Sequence, residues 1–395
     1  MLTGHGPFSG RSDTAREVNA LTAALDARRA RGAPVIDLTV SNPTVAGLPY
    51  DAEGIGAALA DPAALSYEPH PLGLPAARRA IAAALAEEGV HMDPARVLLT
   101  ASTSEAYAHL FALLCDPGDE VLVPEPSYPL LEHLAHHAGV HLARYPLTYD
   151  GRWHADPAAL FDAIGERTRA LVAVSPNNPT GSYATRDELE ALAALGLPLI
   201  VDEVFHPYAL AAAPKDRARA ATLDGRLGEA LVFALDGLSK RAALPQLKLA
   251  WTTVSGPDAL VEEALARLEV MADTFLSPNT PAQVGLEALL AATEPTRAAL
   301  TARLEDHLAK LRAACEGTAL TVPRVEGGWY APVRLPATET DERWALSLLD
   351  AGLWVQPGYF YDFPPDESWI VVSLMTPPAP FAEGLAILAR EVDVR

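Results

Sequence analysis

Residues 97–138 read VLLTASTSEAYAHLFALLCDPGDEVLVPEPSYPLLEHLAHHA, and this stretch decides the fold class. Val97-Leu98-Leu99 is a short apolar run that ends in the hydroxyl-rich turn Thr100-Ala101-Ser102-Thr103-Ser104. A helical stretch follows over 103–115, then a second apolar run at 120–123 and a second helical stretch at 128–138. The rhythm continues downstream, with apolar runs at 170–174, 198–201, 230–235 and 249–254 and a helical stretch at 186–195. Short, continuously apolar strands spaced by helices predict βαβ units: an α/β fold with a mainly parallel central sheet flanked by helices on both faces. Ligands of such sheets collect beyond the carboxyl ends of the strands. The notable polar residues of this chain sit at those ends.

Outside this region the pattern changes. Residues 14–31 carry Val18, Leu21, Ala24 and Leu25 among charges, which predicts an amphipathic helix terminated by Gly32. Val35-Ile36-Asp37-Leu38 reads as a short strand running into the turn Ser41-Asn42-Pro43-Thr44, and 75–88 as an Ala-rich helix entered through Pro75. Long helical patterns at 256–275 and 279–315 come next. Gly327-Gly328 introduces a strand from Trp329 to Leu335, followed by a helix at 340–351 and strands at 353–356 and 369–374. This later part predicts a separate α+β layer, completed by the N-terminal segment. At 395 residues the chain is long for one core. The expected organisation is therefore a large domain over 46–295 and a small domain made of 1–45 and 296–395.

The chain has 51 acidic and 30 basic side chains, a formal net charge of −21. A surface that negative repels phosphate backbones and anionic lipid, which argues against nucleic acid and membrane as partners. No run approaches the roughly 18 apolar residues of a membrane span. Met1 to Arg11 shows no charged start leading into an apolar stretch, so the cytoplasm is the expected location. Cys115 and Cys315 form no metal-ligand pair, and Cys115, within an apolar run, reads as a small buried residue.

The chemistry centres on Leu238-Ser239-Lys240-Arg241, just after the apolar run 230–235. A lysine at a strand end among apolar residues is a candidate for lowered basicity and imine formation, although most lysines are solvated surface groups. Four further segments give it weight. The turn at 100–106 leaves backbone N–H groups free at a positive helix terminus, a phosphate cradle whose ordinary reading is an N-cap. Pro124-Glu125-Pro126-Ser127-Tyr128-Pro129 puts an aromatic ring at a strand end, where it stacks on a flat ligand or packs in the core. Ser175-Pro176-Asn177-Asn178-Pro179-Thr180-Gly181 is a stiffened turn that holds an amide donor in place. Ile200-Val201-Asp202 ends an apolar strand in an acid, which needs a cationic partner if buried.

In this order the segments resemble the class I/II aminotransferases, pyridoxal phosphate (PLP) enzymes of fold type I, from about residue 15 to 390. Position by position, the resemblance implies that Lys240 is the Schiff-base lysine. It likewise implies that Asp202 keeps the cofactor's pyridine nitrogen protonated, so that the ring acts as an electron sink. Asn178, in Asn-Pro-Thr-Gly, matches the donor to the cofactor's O3′. Tyr128 matches the ring-stacking aromatic, and Ser102, Thr103 and Ser104 the phosphate loop. Tyr67, in Tyr-Glu-Pro-His-Pro-Leu-Gly-Leu-Pro, matches the tyrosine that reaches the neighbouring subunit's phosphate, which implies a homodimer with shared active sites. The spacing from Tyr67 to Gly73 is one residue longer than in the family.

Other departures bear on substrate. Lys248 stands where the family has a phosphate-binding arginine, and an ammonium lacks the bidentate fork. Phe205 stands where a tyrosine donates to O3′, which implies a more basic O3′. Tyr208 and His206 are the nearby substitutes, with core packing as their ordinary role. Val371-Val372-Ser373-Leu374 replaces Arg-Ile-Ser-Phe, whose arginine grips the substrate carboxylate. Arg334 and the aromatic loop Gly358-Tyr359-Phe360-Tyr361-Asp362-Phe363 are alternatives for that grip. Asp273 lies where relatives place a side-chain selector, though a surface role is the ordinary reading. His133, His136, His137 and His141 lack a carboxylate or thiol that would complete a metal site.

The expected function is transamination between a small-molecule amino donor and a keto acid, with Lys240 shuttling the proton. The alternatives are β-elimination, decarboxylation or oxidation with the same cofactor. A non-catalytic ligand-sensing relative is a further alternative.

Overall fold

The run Leu199-Ile200-Val201 is apolar throughout because it lies in the middle of a sheet covered on both faces. The computed structural model describes residues 8–13, 19–223 and 230–393. In chain order the strands are β1 (Ile36–Asp37), β2 (Val97–Thr100), β3 (Glu120–Glu125), β4 (His141–Tyr149), β5 (Trp153–Ala155), β6 (Thr168–Val174) and β7 (Leu199–Asp202). They continue with β8 (Val232–Gly237), β9 (Ala250–Ser255), β10 (Tyr330–Leu335), β11 (Leu353–Trp354), β12 (Gln356–Pro357) and β13 (Ser368–Ser373). The large sheet has eight strands in the order β2-β9-β8-β7-β6-β3-β4-β5. Its centre, β8 to β4, is parallel; β9 runs antiparallel to both β2 and β8, and β5 antiparallel to β4.

Strand alternation divides the core. Ile200, Phe233 and Leu235 pack on one face against Tyr107, Leu110 and Phe111 of the helix Thr103–Leu114 and Leu268 of the helix Asp258–Phe275. Leu199, Val201, Val232 and Ala234 pack on the other, against Leu189 and Leu192 of the helix Arg186–Ala193. Asp202 therefore faces the side of Tyr107, and Glu203 the opposite side.

A second layer is built from the antiparallel sheet β10-β13-β12 and the parallel pair β1-β11, in which Ile36 pairs with Leu353. The N-terminal segment thus pairs with the C-terminal layer. Leu21 and Leu25 of the helix Ala20–Ala30 share a core with Trp344 and Leu348 of Asp341–Asp350. Phe205, Tyr208 and Leu210 from the first layer join that same core.

The structure corrects several expectations. The first described helix begins at Ala20, because the Asn19 side chain accepts from the Thr22 N–H at 2.7 Å. The earlier part of that expected helix, including Val18, lies outside the described residues. The helical pattern at 279–315 is three helices, Thr280–Val284, Leu286–Ala292 and Glu294–Cys315. The first break falls at Gly285, where a Cβ would sit 2.4 Å from the Ala58 carbonyl oxygen. The sequence reading lacked the β4-β5 hairpin and the final helix Pro378–Asp393. β4 is an exposed strand with little apolar alternation, which removes the usual signal. Cys115 is only partly buried, since it caps the helix Thr103–Leu114. No helix among the described residues is long and apolar enough to cross a membrane.

Gly73 seats the turn after Tyr67 on β2. Its φ is +95°, and a Cβ would lie 2.2 Å from Leu99 Cδ1 and 2.7 Å from Leu99 Cβ. Gly73→Ala is expected to cost about 2 kcal/mol of unfolding free energy or more, from backbone strain and overpacking together. Urea unfolding checks this, and an unshifted midpoint contradicts it.

Candidate active site

The carboxyl ends of β6, β7 and β8 open into one cavity of about 350 Å³, as the topology predicts. Asp202 closes β7 and lines it. Its Oδ1 accepts the Val204 N–H at 3.2 Å and its Oδ2 the Tyr107 hydroxyl at 3.1 Å. Burial pushes the carboxyl up to about 6, against the lowering pull of those two hydrogen bonds.

Lys240 lines the same cavity from the one-turn helix Leu238–Arg241 directly after β8. The turn is anchored by the Leu238 N–H on the Leu249 carbonyl at 2.9 Å, and by the Tyr208 hydroxyl donating to the Lys240 carbonyl at 2.7 Å. The Lys240 Nζ sits 5.2 Å from the Trp329 ring centroid and 5.8 Å from that of Phe205. Burial lowers the basicity of the amine, Asp202 raises it in part, and Lys248 adds to the lowering.

Ser102 is the N-cap of the helix Thr103–Leu114: its Oγ accepts the Glu105 N–H at 3.1 Å, and Glu105 reaches back to the Ala101 N–H at 2.9 Å. Capping and cradling coexist here. Ser102, Thr103 and Ser104 all line the cavity, at the end of a helix whose first N–H groups have no intrahelical acceptor. Lys248 joins them from a left-handed position, φ 50°, and the Asn279 side chain donates to the Leu247 and Lys248 carbonyls at 2.7 and 3.2 Å. Tyr128, half exposed, and Asn178, 8% exposed, complete the wall. The structure separates the two adjacent asparagines. Asn177 donates to the Pro126 carbonyl and to Thr180, whereas Asn178 lines the cavity; each leaves its Oδ1 buried without a partner, as Ser127 does its Oγ.

The cavity thus gathers Lys240, Asp202, Asn178, Tyr128, Lys248 and the three hydroxyl residues. Tyr67 is not among them; it is 70% exposed and lies outside this cavity. Phe205 does line the wall, and neither proposed substitute replaces its missing hydroxyl. Tyr208 spends its hydroxyl on the Lys240 carbonyl, and His206 packs edge-on to Tyr183 with burial holding it well below the usual imidazole range. Arg334 points away, paired to Glu367 at 2.6 Å on the outer side of β10. Val371 is buried in β13 between Pro332 and Gln356. Tyr361 of the aromatic loop is buried and donates to Gln356, and Tyr359 is exposed. Asp273 lies on the exposed end of its helix. Among the described residues no three His, Cys, Asp or Glu side chains could hold a metal ion.

Sequence reasoning missed Tyr107, Tyr330, Ser41 and Ser127, all of which line the cavity. Tyr107 had a readable signal, because it is four residues after Thr103 and so shares its helix face. Tyr330 comes from the second layer and had none.

These residues fit PLP. An amine, an acid with no salt-bridge partner among the described residues and an amide line one cavity, and hydroxyls with a lysine gather there at a helix N-terminus. Each recognises one part of a flat, phosphorylated pyridine aldehyde.

Comparison with known proteins agrees. The model of the family "Aminotransferase class I and II" matches residues 33–379. An aspartate/prephenate aminotransferase of Thermus thermophilus is 30% identical over 347 residues, covering 85% of this chain and 86% of that protein. A probable N-succinyldiaminopimelate aminotransferase of Mycobacterium tuberculosis is 36% identical over 224 residues, covering 55% of this chain and 54% of that protein. Among solved structures, an alanine aminotransferase from Pyrococcus furiosus superposes with a TM-score of 0.87 at 22% identity, covering 98% of this chain and 100% of that one; this shows the fold. A mutant aspartate aminotransferase of Thermus thermophilus gives 0.80 at 27% identity, covering 97% and 99%.

For the role that the family resemblance implies, pairing with a protonated ring nitrogen, Asp202 must be a carboxylate. With its pKa near 6, affinity for PLP is expected to hold above that pH and to fall as pH drops through it. Tyr107→Phe removes a hydrogen bond that favours the carboxylate, so the fall moves to higher pH, with affinity at pH 6.5 reduced about tenfold. Absorbance titrations of both proteins with PLP measure it, and superimposable pH dependences would exclude the role given to Tyr107.

Proposed function

This chain belongs to the class I and II aminotransferases, and on that premise we propose that it moves an amino group from an amino donor to a keto acid at the cavity between Lys240 and Asp202. The observation that supports this most is that Lys240 and Asp202, each half-buried, line one cavity, where burial disfavours the charged form of both. The chain is a PLP-dependent transferase. Bound PLP supplies an aldehyde that exchanges one amine for another and a pyridinium ring that accepts an electron pair.

The residues divide the remaining work. Lowered basicity leaves part of Lys240 as the free amine that reacts with a carbonyl. Released from that bond, the same amine would be a base on a flexible stem, able to take the proton from the substrate carbon bearing nitrogen and return it at the cofactor carbon on the other side of that nitrogen. Asp202, as a carboxylate, holds a proton on the ring nitrogen. Asn178 donates to the ring's hydroxyl oxygen, without a tyrosine beside it because Phe205 offers none. Tyr128 covers one ring face. Ser102, Thr103, Ser104 and Lys248 receive the phosphate, Lys248 as a single point charge.

In this reading the large part, 46–295, carries the cofactor, and the small part, 1–45 with 296–395, contributes Tyr330 to the cavity wall. Leu65, Tyr67, Phe275 and Leu276 are exposed, and we assign them to a homodimer surface through which Tyr67 reaches the partner's phosphate site. We place the enzyme in the cytoplasm, with a small-molecule amino donor and keto acid as its partners.

Lys240→Ala should take up no cofactor that borohydride fixes to the chain, and turnover should fall by about 10³-fold or more. Asp202→Asn should keep the covalent attachment but bind PLP more weakly and turn over slowly. Mixing an amino donor with the enzyme, no acceptor present, should convert one equivalent of cofactor to its aminated form. Continuous ammonia release instead would indicate elimination, and a fully active Lys240→Ala enzyme would overturn the assignment.

A further inference from the structure

Behind the cavity, on the other face of the sheet, five charged side chains are packed together. Asp202 pairs with Leu235 in the parallel register, so the residues that follow them, Glu203 and Asp236, stand side by side on the opposite face. They are 2% and 3% exposed. Two neighbouring carboxylates repel across a sheet, and two guanidinium groups hold them together. Arg219 Nη1 lies 2.9 Å from Glu203 and 3.6 Å from Asp236. Arg241 Nε donates to Asp236 Oδ2 at 2.8 Å. Glu88, at the end of the helix Pro75–Glu87, lies 2.6 Å from both Arg241 Nη1 and Arg219 Nε. The other carboxylate oxygens accept the Ala220 and Gly237 N–H groups, each at 2.7 Å.

A buried ion cluster is a weak source of stability compared with apolar packing, so its place beneath the site calls for another reason. Two of its members are chain neighbours of the catalytic pair: Glu203 follows Asp202, and Arg241 follows Lys240. The ion pairs therefore tie the end of β7 to the end of β8 and to the one-turn helix that carries the amine. We propose that the Glu88–Arg219–Glu203–Asp236–Arg241 cluster is a positioning device that fixes Lys240 relative to Asp202 and sets the charge state of Asp202 through the sheet.

The titratable groups beside Asp202 are Tyr107 from the helix Thr103–Leu114 and Lys240 from its one-turn helix; Asp236 of β8 acts on it from the opposite face of the sheet, and Lys248 acts on Lys240. Asp236 disfavours the Asp202 carboxylate, and Arg241 is the nearest cation offsetting Asp236. Changes in the cluster therefore act on Asp202 with a definite sign.

This inference rests on the assignment of Lys240 and Asp202. The experiment measures the PLP dissociation constant against pH, together with the pH profile of kcat/KM and the urea midpoint. Asp236→Asn removes the negative charge, so the acid-side loss of affinity should move to lower pH by about half a unit. Arg241→Gln leaves Asp236 less compensated and should move it to higher pH. Arg241→Lys keeps the charge, so its pH midpoint should return towards that of the unmodified enzyme while kcat stays reduced by the lost fork. Lowered urea midpoints with unmoved pH midpoints would overturn the positioning role. If Arg241→Gln does not fold, the isosteric Asp236→Asn decides alone. Cofactor that borohydride fixes elsewhere in Lys240→Ala would instead overturn the site assignment, a different result.

Discussion

A carboxylate removed from water must be neutralised or compensated, and Asp202 puts the whole site under that constraint. It ends a strand buried on both faces and lines the cavity half-buried, where solvent serves it only in part. Tyr107 and the Val204 N–H each supply one hydrogen bond, and neither brings charge. Lys240, in the same cavity, supplies part of the missing cation, and in the proposed scheme a protonated ring supplies the rest. Burial weakens the charged form of the acid and of the amine at once. The site is thus tense before any cofactor arrives, and a cationic heterocycle relieves that tension.

Much of the first layer was legible in the sequence because its strands are buried on both sides, which writes them as uninterrupted apolar runs. Lys240, Asp202 and Asn178 were legible for a different reason: each ends or follows such a run, in an order that a known family shares. What stayed hidden depends on contacts across the chain. The β4-β5 hairpin lies at the sheet's edge with most of β4 exposed, so alternation does not mark it. Tyr330 arrives from a strand about eighty residues beyond the last of the other walls, Ala250. The ion cluster joins residues 88, 203, 219, 236 and 241, and no local pattern announces such a meeting.

The departures from the family pattern acquire a physical sense in the fold. Phe205 packs edge-on to both Trp329 and Tyr330, at 5.3 and 6.2 Å between ring centres. Its place in an aromatic cluster explains how the position does without a hydroxyl. Val371 belongs to a strand buried along its whole length, and an arginine there would need a partner that the neighbouring Pro332 does not offer. Among the described residues the cavity's cations are the two lysines, and both are committed to the cofactor in the proposed scheme. The rest of the cavity lining is largely rings, hydroxyls and aliphatic side chains.

The pairing of β1 with β11 joins residues 36–37 to residues 353–354. On the ribosome, the strands between 97 and 255 have all their mutual partners once that region has emerged, so the large sheet can assemble early. The segment around Ile36 has no such option. It must remain unpaired while some three hundred further residues are translated, its apolar side chains unsheltered throughout. That waiting period is a property of the topology: the first strand of the chain is among the last to find its partner.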